Sequence, residues 1–120
     1  MIIRRHCPGD ETSIKPIYQA CFSGPPWNQD VTVEEAAARW QDHSSRPGFT
    51  CFVATENQQI IGASWFDTIS RETLAQERGC ELVSFVTSIE LTLPIVWIRE
   101  TIVDPVFQGK RIASQLKERV

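Results

Sequence analysis

The sequence has no CxxC pair, and its four cysteines, Cys7, Cys21, Cys51 and Cys80, are scattered over 120 residues. Its two histidines, His6 and His43, lie far apart. A structural zinc site draws on clustered Cys and His ligands, so no metal is expected. No apolar run follows the opening Met1-Ile2-Ile3-Arg4-Arg5-His6, so no signal peptide is read there. The thiols are then expected to be reduced, in a cytoplasmic chain, and mostly small core residues. No uninterrupted apolar stretch reaches membrane-spanning length. Leu82 to Ile98 comes nearest, and Glu90, Pro94 and four Ser/Thr residues break it. Neither sign of charge dominates: twelve basic against fifteen acidic residues give a formal charge of -3. That disfavours general binding to a phosphate backbone, so no nucleic-acid partner is expected. Six Gly and seven Pro are too few for a low-complexity or collagen-like chain.

What remains is globular composition, 42% apolar and 22% charged, at a length that suits one domain over residues 1–120. Ile2 to Arg5 suits a first strand, closed by Pro8-Gly9-Asp10. Ile14, Ile17, Tyr18 and Cys21 recur at helical spacing, with Pro16 either in the first turn or at a kink. Gly24-Pro25-Pro26 stops that helix. Thr32 and Glu35 have capping-box spacing ahead of a second helix, whose apolar stripe is Val33, Ala36, Ala37 and Trp40. Thr50 to Thr55 and Ile60 to Thr68, joined by Asn57-Gln58-Gln59, read as an antiparallel hairpin. Ser70 to Arg78, closed by Gly79, carries the start and stop signals of a short helix. Leu82 to Leu93 fits helix and strand equally well. Ile95 to Val103 is a strongly apolar strand. A helix beginning near Arg111 would line its inner face with Ile112, Leu116 and Val120.

The chemistry concentrates between Trp97 and Ala113. A strand, a Pro turn, a loop containing Gly109 and a helix start together aim backbone N–H groups at one point, which favours a phosphate. Gly109 allows close backbone approach. Lys110 and Arg111 add positive charge, although both also read as solvated charges at a helix start. The nucleotide-binding pattern GxxxxGK[ST] is absent, which excludes a P-loop. Glu100 lies in the strand; in regular geometry it shares a face with Ile98 and Ile102. A carboxylate among apolar neighbours has a raised pKa, which suits a general base near neutral pH. The alternative is a carboxylate that pairs with a nearby Arg, or faces water, without catalysing. Trp27, in the Pro-rich loop, reads either as a wall of an acceptor site or as a packing anchor. Asp67, at the end of the hairpin's second strand, is a candidate amine contact. Cys51 reads as a core residue rather than a nucleophile.

The run Val103-Asp104-Pro105-Val106-Phe107-Gln108-Gly109-Lys110-Arg111-Ile112-Ala113 resembles the acetyl-CoA loop of the GNAT superfamily of N-acetyltransferases, Gln/Arg-x-x-Gly-x-Gly/Ala after a Val-x-Pro strand end. Gln108 and Ala113 match its first and last positions, and Arg111 replaces the middle Gly. Gly24-Pro25-Pro26-Trp27-Asn28 resembles the loop between the first two helices of family members that act on small amines.

The resemblance implies an α/β (α+β) fold: a mixed, mainly antiparallel sheet flanked by helices, split by a bulge in the fourth strand, and here lacking the C-terminal strands. It implies acetyl-CoA as co-substrate, with the pyrophosphate on Gln108, Gly109, Lys110, Arg111, Ile112 and Ala113. The pantetheine arm would pair with backbone near Ile102 and Val103. It implies acetyl transfer to a primary amine, small-molecule or peptide, with Glu100 as base. No residue matches the tyrosine that protonates the departing thiolate, since Tyr18, the only tyrosine, lies on the first helix. A second reading is a catalytically silent GNAT-like domain that binds CoA or another chain, a homodimer included.

Overall fold

The computed structural model describes residues 1–88 and 95–119. β1 (Ile2–Arg5) leads into α1 (Glu11–Ser23) and α2 (Val33–Ser44). β2 (Thr50–Glu56) and β3 (Gln59–Ile69) follow, then α3 (Arg71–Arg78) and α4 (Cys80–Ser88). Last come β4 (Ile95–Val103), a 3₁₀ turn (Pro105–Phe107) and α5 (Ile112–Lys117). The strands form one antiparallel sheet in the order β1-β2-β3-β4, flanked by helices.

Local chemistry sets most of these boundaries. Thr32 caps α2, its hydroxyl accepting from the Glu35 N–H at 3.1 Å. Ser70 caps α3 in the same way through the Thr73 N–H. Asn57 and Gln58 both adopt positive φ, the two-residue turn whose twist suits a hairpin. Pro16 lies well inside α1, where it removes one backbone donor from the helix. The ambiguous Leu82–Leu93 stretch is helical up to Ser88. Its remainder, 89–94, lies outside the described residues, as does Val120.

α1 and α2 cover one face of the sheet. Ile14, Ile17, Tyr18, Ala36 and Trp40 pack there on Cys51, Val53, Trp65 and Ile102. The Trp65 indole N–H donates to Nδ1 of His43 at 3.0 Å. Burial lowers the His43 pKa, which keeps that acceptor nitrogen free of a proton. α5 covers the opposite face, where Ile112 and Leu116 meet Ala54, Ile61 and Val103. Gly62 lets β4 pass close to β3: a Cβ there would stand 2.9 Å from the Ile102 carbonyl oxygen, whereas Ile112 and Leu116 at 3.5 Å would be in ordinary contact. α3 and α4 pack through Leu74 and Val83 on Ile69, Ile95 and Trp97.

Three expectations need correction. Val33 is 62% exposed, because it opens α2 ahead of the turn that buries Ala36; Ala36 and Trp40 carry the contact. Of the cysteines only Cys51 is buried; Cys21 is half-buried, while Cys7, before α1, and Cys80, opening α4, are exposed. Glu100 does not share a face with Ile98. Trp65 pairs with Glu100 but Phe66 pairs with Ile98, so Arg99 is an extra residue that resets the alternation of β4. Glu100 and Ile102 face α1 and α2, whereas Ile98 lies on the other face, 42% exposed.

The bulge is pinned by its own side chain. Arg99 donates to Asp67 through Nε at 2.7 Å and Nη2 at 3.1 Å, and through Nη1 to Glu77 of α3 at 2.9 Å. Asp67 is 2% exposed, so this is a buried bidentate pair. Removing one partner of such a pair leaves the other charge short of a partner. Asp67→Asn is therefore expected to cost about 3 kcal/mol in urea unfolding, Glu77 retaining part of the Arg99 interaction. A loss within about 0.5 kcal/mol, the ordinary effect of a surface change, would show that the pair does not hold the bulge.

Candidate active site

Two sets of residues meet along the C-terminal half of β4. The first surrounds Glu100. Its side chain is half-buried below α1 and α2, with Trp65 opposite on β3. Tyr18 of α1 places its hydroxyl 3.5 Å from Glu100 Oε1, and Arg39 of α2 donates to that hydroxyl at 2.8 Å. Burial raises the Glu100 carboxyl above the ordinary carboxylate range, while Arg39 and the Tyr18 hydroxyl oppose the rise. Burial, and then the nearby Glu100 charge, push Tyr18 up as well, so it stays a protonated donor near neutral pH. An aromatic run leads outward from this point. The Tyr18 ring lies 4.7 Å from Phe22, and Phe22 lies 5.6 Å from Trp27, which is 54% exposed on the α1–α2 loop.

The second set is the loop after β4. Asp104 turns the chain by accepting the Val106 N–H at 3.0 Å, and Pro105 opens the 3₁₀ turn. Gly109 (φ 84°) and Arg111 (φ 62°) then adopt left-handed backbone, so the loop curls ahead of α5. Among the described residues, the N–H groups of Gly109, Lys110 and Arg111 reach no acceptor. Gly109 and Arg111 line a cavity of about 370 Å³ together with Val103, Gln108, Ile112 and Ala113, joined by Cys21, Thr101 and Phe107. Unpaired backbone donors and an Arg at the mouth of an apolar-walled cavity form an anion-binding arrangement.

The sequence-expected residues divide accordingly. Six of them line the cavity together. Ile102 does not: it is buried on the α1–α2 face and contributes only strand backbone to this region. The Lys110 ammonium lies over the Phe107 ring, 5.3 Å from its centroid, outside the cavity lining. Asp67 does not present itself to an amine, because Arg99 takes both of its oxygens. Cys51 is a core residue, its thiol pushed up to about 12 by burial, and offers no nucleophile near neutral pH. Tyr18, Arg39, Cys21 and Phe107 are additional. Tyr18 and Cys21 share a helix face three residues apart, the one signal that places them together; nothing in the sequence marks Arg39.

The sequence matches the model of the acetyltransferase (GNAT) family over residues 12–120. The chain belongs to the GNAT acetyltransferase family. No curated protein matches it at a significant level. Among solved structures it is similar to a GNAT family acetyltransferase from Brucella melitensis in complex with acetyl-CoA. That likeness has a TM-score of 0.63 and 19% identity, and covers 98% of this chain and 64% of that one. It is also similar to the aminoglycoside 6'-N-acetyltransferase from Acinetobacter haemolyticus, without ligand, with a TM-score of 0.65 and 11% identity over 99% of this chain and 68% of that one. Glucosamine-6-phosphate N-acetyltransferase from Arabidopsis thaliana gives a TM-score of 0.57 and 17% identity over 98% and 69%. At these identities the likeness is one of fold. The chain spans 64% of the Brucella protein, somewhat under two thirds of its length.

The left-handed Arg111 explains the glycine of the GNAT pattern at this position. Glycine adopts that backbone freely, whereas a side chain costs about 1–2 kcal/mol there. Arg111→Gly is expected to be more stable than Arg111→Ala by about 1 kcal/mol in chemical denaturation. An exposed helical position would give the reverse order, Ala over Gly.

Proposed function

We propose that this GNAT chain moves an acetyl group from acetyl-CoA to a primary amine, with Glu100 as general base. The observation that carries the reading is the placement of a half-buried carboxylate three residues before the strand end, Val103, that opens onto the anion-binding loop. The residues fit the co-substrate. The free N–H groups of the loop, that of Lys110 included, and the Arg111 charge suit the pyrophosphate, with Gln108, Ile112 and Ala113 around it. The backbone of Ile102 and Val103, at the end of β4, suits the pantetheine arm in the manner of an added strand. The complex of the Brucella protein with acetyl-CoA supports this assignment.

Acetyl-CoA supplies the acetyl group as a thioester. The work of the chain is to deliver a neutral amine. A primary amine is mostly protonated at pH 7, and Glu100 is placed to take its proton before attack. Burial favours the task by making the carboxylate a stronger base than an exposed one. A protonated Glu100 accepts nothing, so turnover falls as pH drops through its raised pKa. Trp27, at the outer end of the aromatic run, offers a face to the acceptor, an ammonium included.

Two measurements test the reading. Saturating acetyl-CoA at about a hundred times its dissociation constant adds about 2.7 kcal/mol, and a domain this small is expected to melt several degrees higher. Glu100→Gln is expected to lower kcat by about 100-fold or more while leaving acetyl-CoA binding unchanged. Full turnover in that variant would remove Glu100 from the mechanism. A ligand-stabilised chain without turnover on any amine would favour the second reading, a CoA-binding or interaction module. That reading draws on β4 itself, which among the described residues pairs only with β3 and exposes Val96 and Ile98 on its open face.

A further inference from the structure

We infer that Tyr18 and Arg39 are positioning residues for Glu100: Arg39 fixes the Tyr18 hydroxyl, and the hydroxyl holds one carboxylate oxygen so that the other faces the acceptor. The inference rests on the reading of Glu100 as base. The order of donors fixes the direction. Arg39 has no acceptor atom, so the 2.8 Å contact is Arg39 Nη1 donating to the tyrosine oxygen. The tyrosine proton is then left to point at Glu100 Oε1, 3.5 Å away. Among the described residues nothing donates to Glu100 Oε2. The Tyr18 ring cannot swing aside, because it is buried between Phe22 and Trp65, with centroids at 4.7 and 6.3 Å.

The charged and titratable groups that face this carboxylate are few. α1 contributes Tyr18, α2 contributes Arg39, and β3 places the uncharged Trp65 opposite. Arg99, the neighbour on β4, is turned away to Asp67 and Glu77. The tether thus supplies the interactions that favour the ionised form against burial, and only that form can take a proton from an amine. It also gives Oε1 a donor and leaves Oε2 without one among the described residues, so the two oxygens are not equivalent.

The test is a carbon-13 titration of the Glu100 side-chain carboxyl in the intact chain, with the resonance assigned by its loss in Glu100→Gln. Tyr18→Phe keeps the buried ring and removes the hydroxyl; the Glu100 midpoint is expected to move up by roughly half a pH unit or more. Arg39→Gln, at an exposed position of α2 that leaves the core intact, is expected to shift it in the same direction. Arg39→Lys keeps the charge and is expected to restore part of the shift. In turnover, Tyr18→Phe is expected to lower kcat and move the acid limb upward, with the acetyl-CoA dissociation constant unchanged. Midpoints unaltered in both Tyr18→Phe and Arg39→Gln would overturn the inference and leave the base assignment standing. Full turnover in Glu100→Gln would remove the base assignment, while the titration would still decide whether the tether exists.

Discussion

The buried pair of Arg99 and Asp67 is the constraint from which the site follows. A strand of strict alternation would turn Ile98 to the same side as Glu100 and Ile102, under α1 and α2. The extra residue reverses that, and an extra residue persists only where something fixes it. Here the fixing group is the side chain of the bulge residue itself, held by two hydrogen bonds to one carboxylate. Beyond the bulge the alternation is regular, so Glu100 keeps the side of Ile102, under α1 and α2, beside Tyr18 and Arg39. Burial then gives the carboxyl its basicity.

The loop beyond β4 works by a different principle. Its character comes from backbone N–H groups that the fold leaves unpaired, shaped by departures into left-handed conformation at Gly109 and Arg111 on either side of Lys110. A glycine meets that demand without strain, and an arginine meets it while adding a charge at the cavity mouth. Conformational ease and electrostatic attraction are thus exchanged at a single position. β4 can run close beside β3 at this end because Gly62 carries no Cβ to meet the Ile102 carbonyl oxygen. The site therefore depends on two glycines of separate kinds, one for its torsion angles and one for its absent volume.

Much of this was legible in the chain. Capping residues at Thr32 and Ser70, the polar turn at Asn57 and Gln58, and the apolar run ending at Val103 fixed elements whose signals are local. The loop from Gln108 to Ala113 was legible because its chemistry is also local: a strand end, a turn and a helix start. What escaped depends on register and on contacts between distant segments. The displaced face of Ile98 follows from one inserted residue that periodicity does not reveal. Asp67 looked available to an amine because its partner is 32 residues away in sequence. Arg39 lies on the polar side of an ordinary amphipathic helix, and only the packing of α2 against α1 brings it to Tyr18. The even spread of cysteines gave no indication that Cys21 would line the cavity.

The helical segment between β3 and β4 carries Glu77, whose carboxylate binds Arg99 of β4 through one oxygen and Arg46, just after α2, through the other. A single acidic group on a peripheral helix thereby acts as a brace between the two elements that frame Glu100. Exchanges of sequence at this one position of α3 would therefore reach the bulge of β4 through Arg99 while every residue that touches Glu100 stayed the same.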